Sequence, residues 1–273
     1  MSWQNEIEDG KRFEFGANWA SFLENLNDKQ IEQAKQDLFK WLGDIKEKTF
    51  LDIGSGSGIH SLVARMLGAK VHSFDYDAQS VACTQYLKEK YFKGDNDWIV
   101  VQGSVLDKAY LESLGKFDVV YSWGVLHHTG EMWKALEHAS IPLNQNGSLF
   151  IALYNDQGGT SARWKAFKKL YVESNLLLKK VLLYSMIFYF ESRAVIGRAL
   201  RKENPFSFKH WREYKKERGM SRIHDYIDWA GGYPFEVAKP EDIFDFYRKE
   251  GFQLERLKTC GGGLGCNEYL FQK

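Results

Sequence analysis

Hydrophobic and polar positions follow two different periods along this chain. Short apolar runs, each typical of a buried strand, alternate with segments in which apolar residues recur every three or four positions, as in amphipathic helices. The predicted strands are residues 49–54, 70–75, 98–103, 117–123 and 148–155, and the predicted helices between them are 59–67, 78–91, 106–114 and 132–139. This succession predicts an α/β fold with a parallel, doubly wound sheet.

Segments outside this alternation divide the chain into four parts. Residues 1–45 form an N-terminal helical extension, with apolar residues at helical spacing from Phe22 to Leu42 and Asn27 or Asp28 as a helix cap. Residues 46–155 are the Rossmann-like core, and 156–236 are a helical insertion that we expect to act as a lid and to contribute to ligand binding. Residues 237–273 hold a helix and two strands, which predict an antiparallel hairpin on a mostly parallel seven-stranded sheet.

Composition narrows the function classes. The 273 residues include 37 basic and 36 acidic side chains, so a net charge of +1 gives no attraction for nucleic acid, and no nucleic-acid partner is expected. The three cysteines form no C-x-x-C pair, which favours a reducing compartment. The N-terminus lacks the apolar core of a signal peptide, and no apolar run is long enough to be a transmembrane segment. These observations predict a cytoplasmic protein.

A glycine-rich loop follows the first predicted strand. Glycines at 54, 56 and 58 let the backbone turn tightly and approach a ligand closely. Dinucleotide-binding enzymes space these glycines as G-x-G-x-x-G, whereas Ile59 stands where their third glycine falls. Asp52 just before the loop favours a ligand that carries a cationic amino acid over a pyrophosphate. The pattern therefore argues against a nicotinamide cofactor.

Three further features at strand ends suit an adenosine ligand. Asp75 ends the second strand, where a carboxylate accepts both ribose hydroxyls, and Tyr76 follows as a cover for the adenine. Ser104 and Val105 follow the third strand and approach the adenine from the other side. Asp107 is interpreted as a helix cap or an amine acceptor.

The runs LDIGSGSG, GSVLD and FDVVYSWGVLHH, with Asp75 between them, resemble the successive motifs of class I S-adenosylmethionine-dependent methyltransferases. The flanking runs RFEFGANWASFLENL and GGGLGCNEYLF resemble a bacterial branch of ubiquinone-type methyltransferases often found near glycan-building genes. The resemblance implies S-adenosylmethionine as cofactor and a sugar or other small oxygen acceptor. It implies that Asp75 holds the ribose, that Ser104 and Val105 hold the adenine, and that the methionine part is held by Asp52, Gly54, Ser55, Gly56 and Gly58.

The exit of the fourth strand is expected to border both cofactor and acceptor. Ser122 lies there as a cofactor contact, followed by the adjacent histidines His127 and His128 as candidate bases for the acceptor's proton. In the insertion, His224 and Asp225 are the other candidates, and Asn267 with Glu268 point to the same rim. No carboxylate stands at the fourth-strand exit, so no metal is expected.

Two alternatives remain open from the sequence. One is an adenosine-ligand binding module without catalysis, in which the fold and Asp75 persist while the lid serves a partner. The other is methylation of RNA, which the charge balance disfavours, or of another nitrogen acceptor.

Overall fold

A seven-stranded sheet with the order β3-β2-β1-β4-β5-β7-β6 forms the centre of the molecule. The computed structural model describes residues 15–205, 207 and 222–273. Strands β1 to β5 run parallel, and β7 pairs antiparallel with both β5 and β6. The predicted fold class is confirmed. The strands are β1 Thr49–Ile53, β2 Lys70–Asp75, β3 Trp98–Gln102, β4 Phe117–Trp123, β5 Leu143–Tyr154, β6 Gln253–Lys258 and β7 Cys266–Gln272.

Helices cover both faces of this sheet. Apolar side chains of α1 to α4 join one core with the inward residues of β1, β4 and β5, while α5, α6 and α10 form the core of the other face. The helices of these two layers are α1 Phe15–Glu24, α2 Asp28–Leu42, α3 Ile59–Met66, α4 Ala78–Tyr91, α5 Lys108–Ser113, α6 Met132–Ala139 and α10 Pro240–Lys249. The result is a three-layer arrangement whose β-α loops meet at one edge of the sheet.

The observed start of β5 differs from the predicted start, because polar residues interrupt the hydrophobic pattern of the strand. β5 begins at Leu143 rather than 148, because Leu143 pairs with Phe117 across a register shift before the main ladder. The polar residues Asn144 to Gly147 carry no hydrophobic alternation, so the pattern alone reads as a turn. Of the two candidate caps, Asn27 is the one used: its side chain accepts from the Gln30 backbone N–H in a capping box.

The insertion builds an apolar cluster of its own. Helices α7 Gly159–Glu173, α8 Leu176–Leu200 and α9 Arg222–Gly231 meet around Trp164, whose ring lies 4.3 Å from that of Trp229 and 5.5 Å from that of Phe190. Lys168 of α7 is buried here, and its ammonium donates to the carbonyl of Trp229 and lies 4.1 Å from the centroid of that indole. Within the part of the chain that the structure describes, no helix has the length and apolarity of a membrane span.

Gly58 fixes how closely α3 approaches α4. The residue has a φ of +81°, and a Cβ there would lie 2.7 Å from the backbone Cα of Thr84. A backbone atom cannot move aside as the end of a flexible side chain can. The packing of α3 against α4 therefore requires a residue without a side chain at position 58.

Replacing Gly58 with alanine is therefore expected to destabilise the fold more than the same change at a glycine with open surroundings. Gly94→Ala is the matched control, since its φ is +74° and nothing lies within 4 Å of the added carbon. We expect Gly94→Ala to lower the free energy of unfolding by about 1 to 2 kcal/mol from backbone strain alone. Gly58→Ala adds about 1 to 3 kcal/mol of overpacking. Equal losses in urea unfolding would contradict this role.

Candidate active site

A cavity of about 1040 Å³ opens at the carboxyl ends of β1, β2 and β4. Its floor is formed by the loops that follow β1, β3 and β4, and residues of α1, α9 and the start of β7 complete the wall. Ligand cavities in proteins commonly span about 300 to 1,000 Å³. The volume of this cavity lies at the upper end of that range.

The glycine loop lines the cavity in a conformation that side chains would block. Gly54 and Gly56 have φ values of +77° and +54°. A Cβ on Gly54 would lie 2.4 Å from a methyl carbon of Val125, and one on Gly56 would lie 3.2 Å from the indole nitrogen of Trp19. The loop is thus held between the exit of β4 and α1, with its backbone facing the cavity. Ser55 and Ser57 of the loop also line it.

Asp75, at the end of β2, is oriented by two backbone N–H groups. Gly56 N–H donates to one carboxylate oxygen and Asp77 N–H to the other, each at 2.9 Å. The carboxylate reaches the cavity, yet burial raises its pKa to about 6, against the lowering effect of these hydrogen bonds. A fixed pair of acceptor oxygens therefore faces the cavity.

Residues after β2 and β3 form the neighbouring wall. Tyr76, Ser104 and Val105 line the cavity as their positions predicted. The Gln102 side-chain amide donates to the Tyr76 carbonyl at 2.9 Å, which joins the ends of β2 and β3. Asp107 caps α5 by accepting from Tyr110 N–H at 3.0 Å, and it lines the cavity as well.

Three of the predicted cofactor contacts lie outside the cavity wall. Asp52 is buried and accepts from the Ser61 hydroxyl, at the end of a hydrogen-bond chain that runs through Ser73 to the Trp98 indole. Its pKa is raised to about 7 by burial. The Ser122 hydroxyl donates to the Ile53 carbonyl at 3.0 Å, which ties β4 to β1. Gly58 faces α4, as described above. The structure gives these three residues supporting positions around the loop: strand alternation turns Asp52 and Ser122 away from the cavity, and Gly58 precedes α3 at its contact with α4.

Of the two adjacent histidines, only His128 lines the cavity. Its Nδ1 lies 2.7 Å from the carbonyl oxygen of Pro234. Since a carbonyl only accepts, Nδ1 carries the hydrogen and Nε2 is the basic nitrogen of the neutral ring. The His128 ring also lies 5.1 Å from the ring of Phe15 and 5.4 Å from that of Tyr154, which holds its plane.

His127 lies behind His128, away from the cavity. It is fully buried, with its ring 3.9 Å from that of Tyr154 and 4.4 Å from that of His128. Burial, with smaller contributions from His128 and Lys168, holds its pKa well below the ordinary value, so the ring stays neutral. Its backbone carbonyl accepts from Glu236 N–H at 3.0 Å. His127 therefore has the surroundings of a residue that positions the turn.

The helical insertion contributes α9 to the cavity. Asp225, Asp228 and Trp229 line the wall, and the side chain of His224 lies outside the described part of the chain. Burial raises the pKa of Asp228 and lowers that of its neighbour Lys168. From β7, Glu268 lines the cavity, whereas Asn267 turns away and donates to the Asn155 side chain at 3.0 Å.

The sequence patterns did not predict the part that α1 takes. Phe15, Trp19 and Phe22 line the cavity. Gly16 N–H donates to the Asp77 carboxylate at 2.7 Å, and the Asn18 amide donates to Asp228 of α9. Helix α1 therefore joins α9 across the cavity. The run FGANW belongs to a segment that carries the family resemblance, but no local sequence pattern places it beside Asp77 and Asp228.

Charge is distributed unevenly around the cavity. Seven carboxylate residues line it, and none of the described lining residues is lysine or arginine. Three of them come from the side of β2 and β3 or the helix that follows, namely Asp75, Asp77 and Asp107. Another three come from the opposite side, namely Asp225, Asp228 and Glu268. Among the described ranges, no three histidine, cysteine or acidic side chains converge as metal ligands would.

Curated relatives match about half of the chain or less. A ubiquinone biosynthesis O-methyltransferase of Pelagibacter ubique is 25% identical over 139 residues, which are 49% of this chain and 55% of that protein. A ribosomal protein L11 methyltransferase of Acinetobacter baumannii is 37% identical over 82 residues, which are 29% of this chain and 23% of that protein. The chain thus spans about half, or less, of the length of these relatives.

Solved structures share the whole fold at low identity. A magnesium protoporphyrin IX methyltransferase of Synechocystis PCC 6803, crystallised with S-adenosylhomocysteine, superposes with a TM-score of 0.52 at 16% identity, covering 91% of this chain and 88% of that one. A protein family described as a methyltransferase domain matches residues 22–219. Because this match covers more than half of the sequence, the chain belongs to the methyltransferase-domain family, and the predicted class I S-adenosylmethionine-dependent methyltransferase family is confirmed.

Proposed function

We propose that this chain transfers the methyl group of S-adenosylmethionine to a hydroxyl of an uncharged small molecule, most simply a sugar. The observation that carries the proposal is one continuous cavity that joins the Asp75 end of the sheet to His128 and to the acidic wall of α9 and β7. The relative from Pelagibacter ubique is itself an O-methyltransferase.

The residues at the Asp75 end fit the cofactor. The paired carboxylate oxygens suit the two ribose hydroxyls, and Tyr76, Ser104 and Val105 supply the surrounding surface for an adenine. The glycine loop leaves space for the methionine part, since a Cβ on Gly54 would overlap Val125 and one on Gly56 would press against Trp19. When bound, the cofactor supplies a methyl group on a positively charged sulfur, and the acidic lining favours that charge.

His128 is suited to take the acceptor's proton. A hydroxyl oxygen becomes a good nucleophile toward the methyl carbon only as its proton leaves. The Pro234 carbonyl fixes the hydrogen on Nδ1 and so presents the lone pair of Nε2 as the base. His127 and Tyr154 pack against the ring and hold its direction, which is the contribution that in-line transfer requires of the protein.

The wall opposite the cofactor selects the acceptor by charge. Asp225 and Asp228 line that wall together with Glu268, which is paired with Lys258 at 2.9 Å, and the excess of carboxylates in the described lining disfavours a phosphate or carboxylate on the acceptor. Trp123, Tyr154 and Trp229 provide flat apolar surfaces. Carboxylates beside aromatic rings suit a neutral sugar, which offers hydroxyl donors on its edge and C–H groups on its face.

Asp75→Ala is expected to weaken cofactor binding. The change removes two charge-assisted hydrogen bonds, worth about 1.5 to 3 kcal/mol in all, which is roughly a ten- to 150-fold rise in Kd. Isothermal titration calorimetry with S-adenosylmethionine measures it, and Asp245→Ala on the outer helix α10 is the control. An unchanged Kd in the Asp75 variant would remove this residue from the cofactor site.

His128→Gln is expected to lower the maximal rate by about 10² to 10⁴ while the Kd for S-adenosylmethionine stays nearly unchanged, because the base acts only on the acceptor. His72→Gln, on β2 and outside the cavity wall, is the control for histidine loss. Full turnover by the His128 variant would show that the proton leaves by another route. A rise in cofactor Kd equal to the loss in rate would assign His128 to binding.

The proposed acceptor class is tested with paired acceptors. Transfer of radiolabelled methyl groups is measured on neutral glycosides and on the same sugars carrying a phosphate or nucleoside diphosphate. We expect methylation of neutral sugars and little of their anionic partners. Preference for the anionic member would refute the charge argument, and cofactor binding without transfer to any hydroxyl compound would favour a binding module.

A further inference from the structure

Helix α8 exposes a continuous apolar stripe that the proposed reaction does not use. Leu177, Val181, Tyr184 and Phe188 recur at intervals of four, three and four residues, which places them on one side of the helix. Leu177 and Phe188 are each 75% exposed. Ile196 and Leu200 carry exposed apolar surface onward to the end of the helix.

The opposite side of α8 is the one that belongs to the fold. Leu183 and Met186 are buried in the cluster of the insertion, and Phe190 stacks on Trp164. Glu191 accepts from Arg222 at the contact with α9. The exposed stripe therefore does not support the core, although a soluble surface rarely leaves so many large apolar side chains together on one face.

Positive charge accompanies the stripe. Helix α8 contains four basic residues and one acidic residue, Glu191, so its net charge is +3. The basic residues are Lys179, Lys180, Arg193 and Arg198. Lys180 and Arg193 are exposed. A second copy docking through the same face would bring two such charges together, whereas an anionic surface complements them.

We propose that α8 lies in the interface of an anionic lipid bilayer, with this stripe (residues 177, 181, 184, 188, 196 and 200) in the acyl boundary and its basic residues among the lipid headgroups. A helix of 25 residues reaches about 37 Å, and with lysines among its apolar residues it suits lying along a membrane rather than crossing it. Tyr189, outside the stripe, presents an apolar ring with a polar tip, which suits the headgroup level. The inference is independent of the methyl acceptor.

Sedimentation of the full chain with vesicles tests the proposal. Vesicles of phosphatidylcholine alone are compared with vesicles that also contain phosphatidylglycerol, at low and at high salt. Leu177→Ser combined with Phe188→Ser should reduce the apparent affinity for the anionic vesicles by at least about tenfold, because two large apolar side chains no longer enter the bilayer. Lys180→Gln combined with Arg193→Gln should reduce the preference for phosphatidylglycerol and its salt sensitivity.

The matched control is Phe39→Ser combined with Tyr86→Ser, two side chains that are each 52% exposed on α2 and α4. It should bind vesicles as the unchanged chain does, and all variants should keep the same melting temperature. No binding of the unchanged chain to anionic vesicles would overturn the proposal, as would an equal loss in the control. A dimer that the Leu177 and Phe188 changes convert to monomer, without vesicle binding, would instead identify the stripe as a contact between copies.

Discussion

The parallel pairing of β1 with β4 is the constraint on which the site depends. Helix α3 after β1 packs on one face of the sheet, while α6 after β4 packs on the other, so their loops separate and a crevice opens between them. The bond from the Ser122 hydroxyl to the Ile53 carbonyl closes the two strands just below that opening. The glycine loop and the histidine turn, each leaving one of these strands, therefore face each other.

The crevice is covered by elements that lie before and after the strands β1 to β5 in the sequence, namely α1 and α9. Helix α1 rests on the start of α4 through the bond from Gly16 N–H to Asp77, and it reaches α9 through Asn18 and Asp228. The segment after α9 holds the turn that contains His127 and His128. The Pro234 carbonyl accepts from His128, and Glu236 N–H donates to the His127 carbonyl. The insertion thus has two roles, because α9 forms part of the cavity wall and the segment after α9 fixes the direction of the proposed base.

Local signals in the sequence predicted most of the fold and several residues that line the β1 and β2 side of the cavity. Glycines at a tight turn and a carboxylate at a strand end are both visible in the sequence, so the placement of Gly54, Gly56 and Asp75 in the cavity wall could be predicted from their positions. The placement of Asp52 could not, because its neighbours do not reveal that it reaches inward to Ser61. The roles of α1 and Asp228 depend on two long-range hydrogen bonds, one between residues that are 61 positions apart and one between residues that are 210 positions apart. Hydrophobic periodicity reflects local structure and does not predict such contacts.

A crystal structure of the chain with S-adenosylhomocysteine tests the central claim most directly, namely that one cavity holds the cofactor on the β2 side and the acceptor beside His128. The account predicts ribose hydroxyls within hydrogen-bond distance of both Asp75 oxygens, the adenine between Tyr76 and Val105, and the sulfur directed toward His128. A ligand bound elsewhere, or one whose sulfur faces away from His128, would contradict the account.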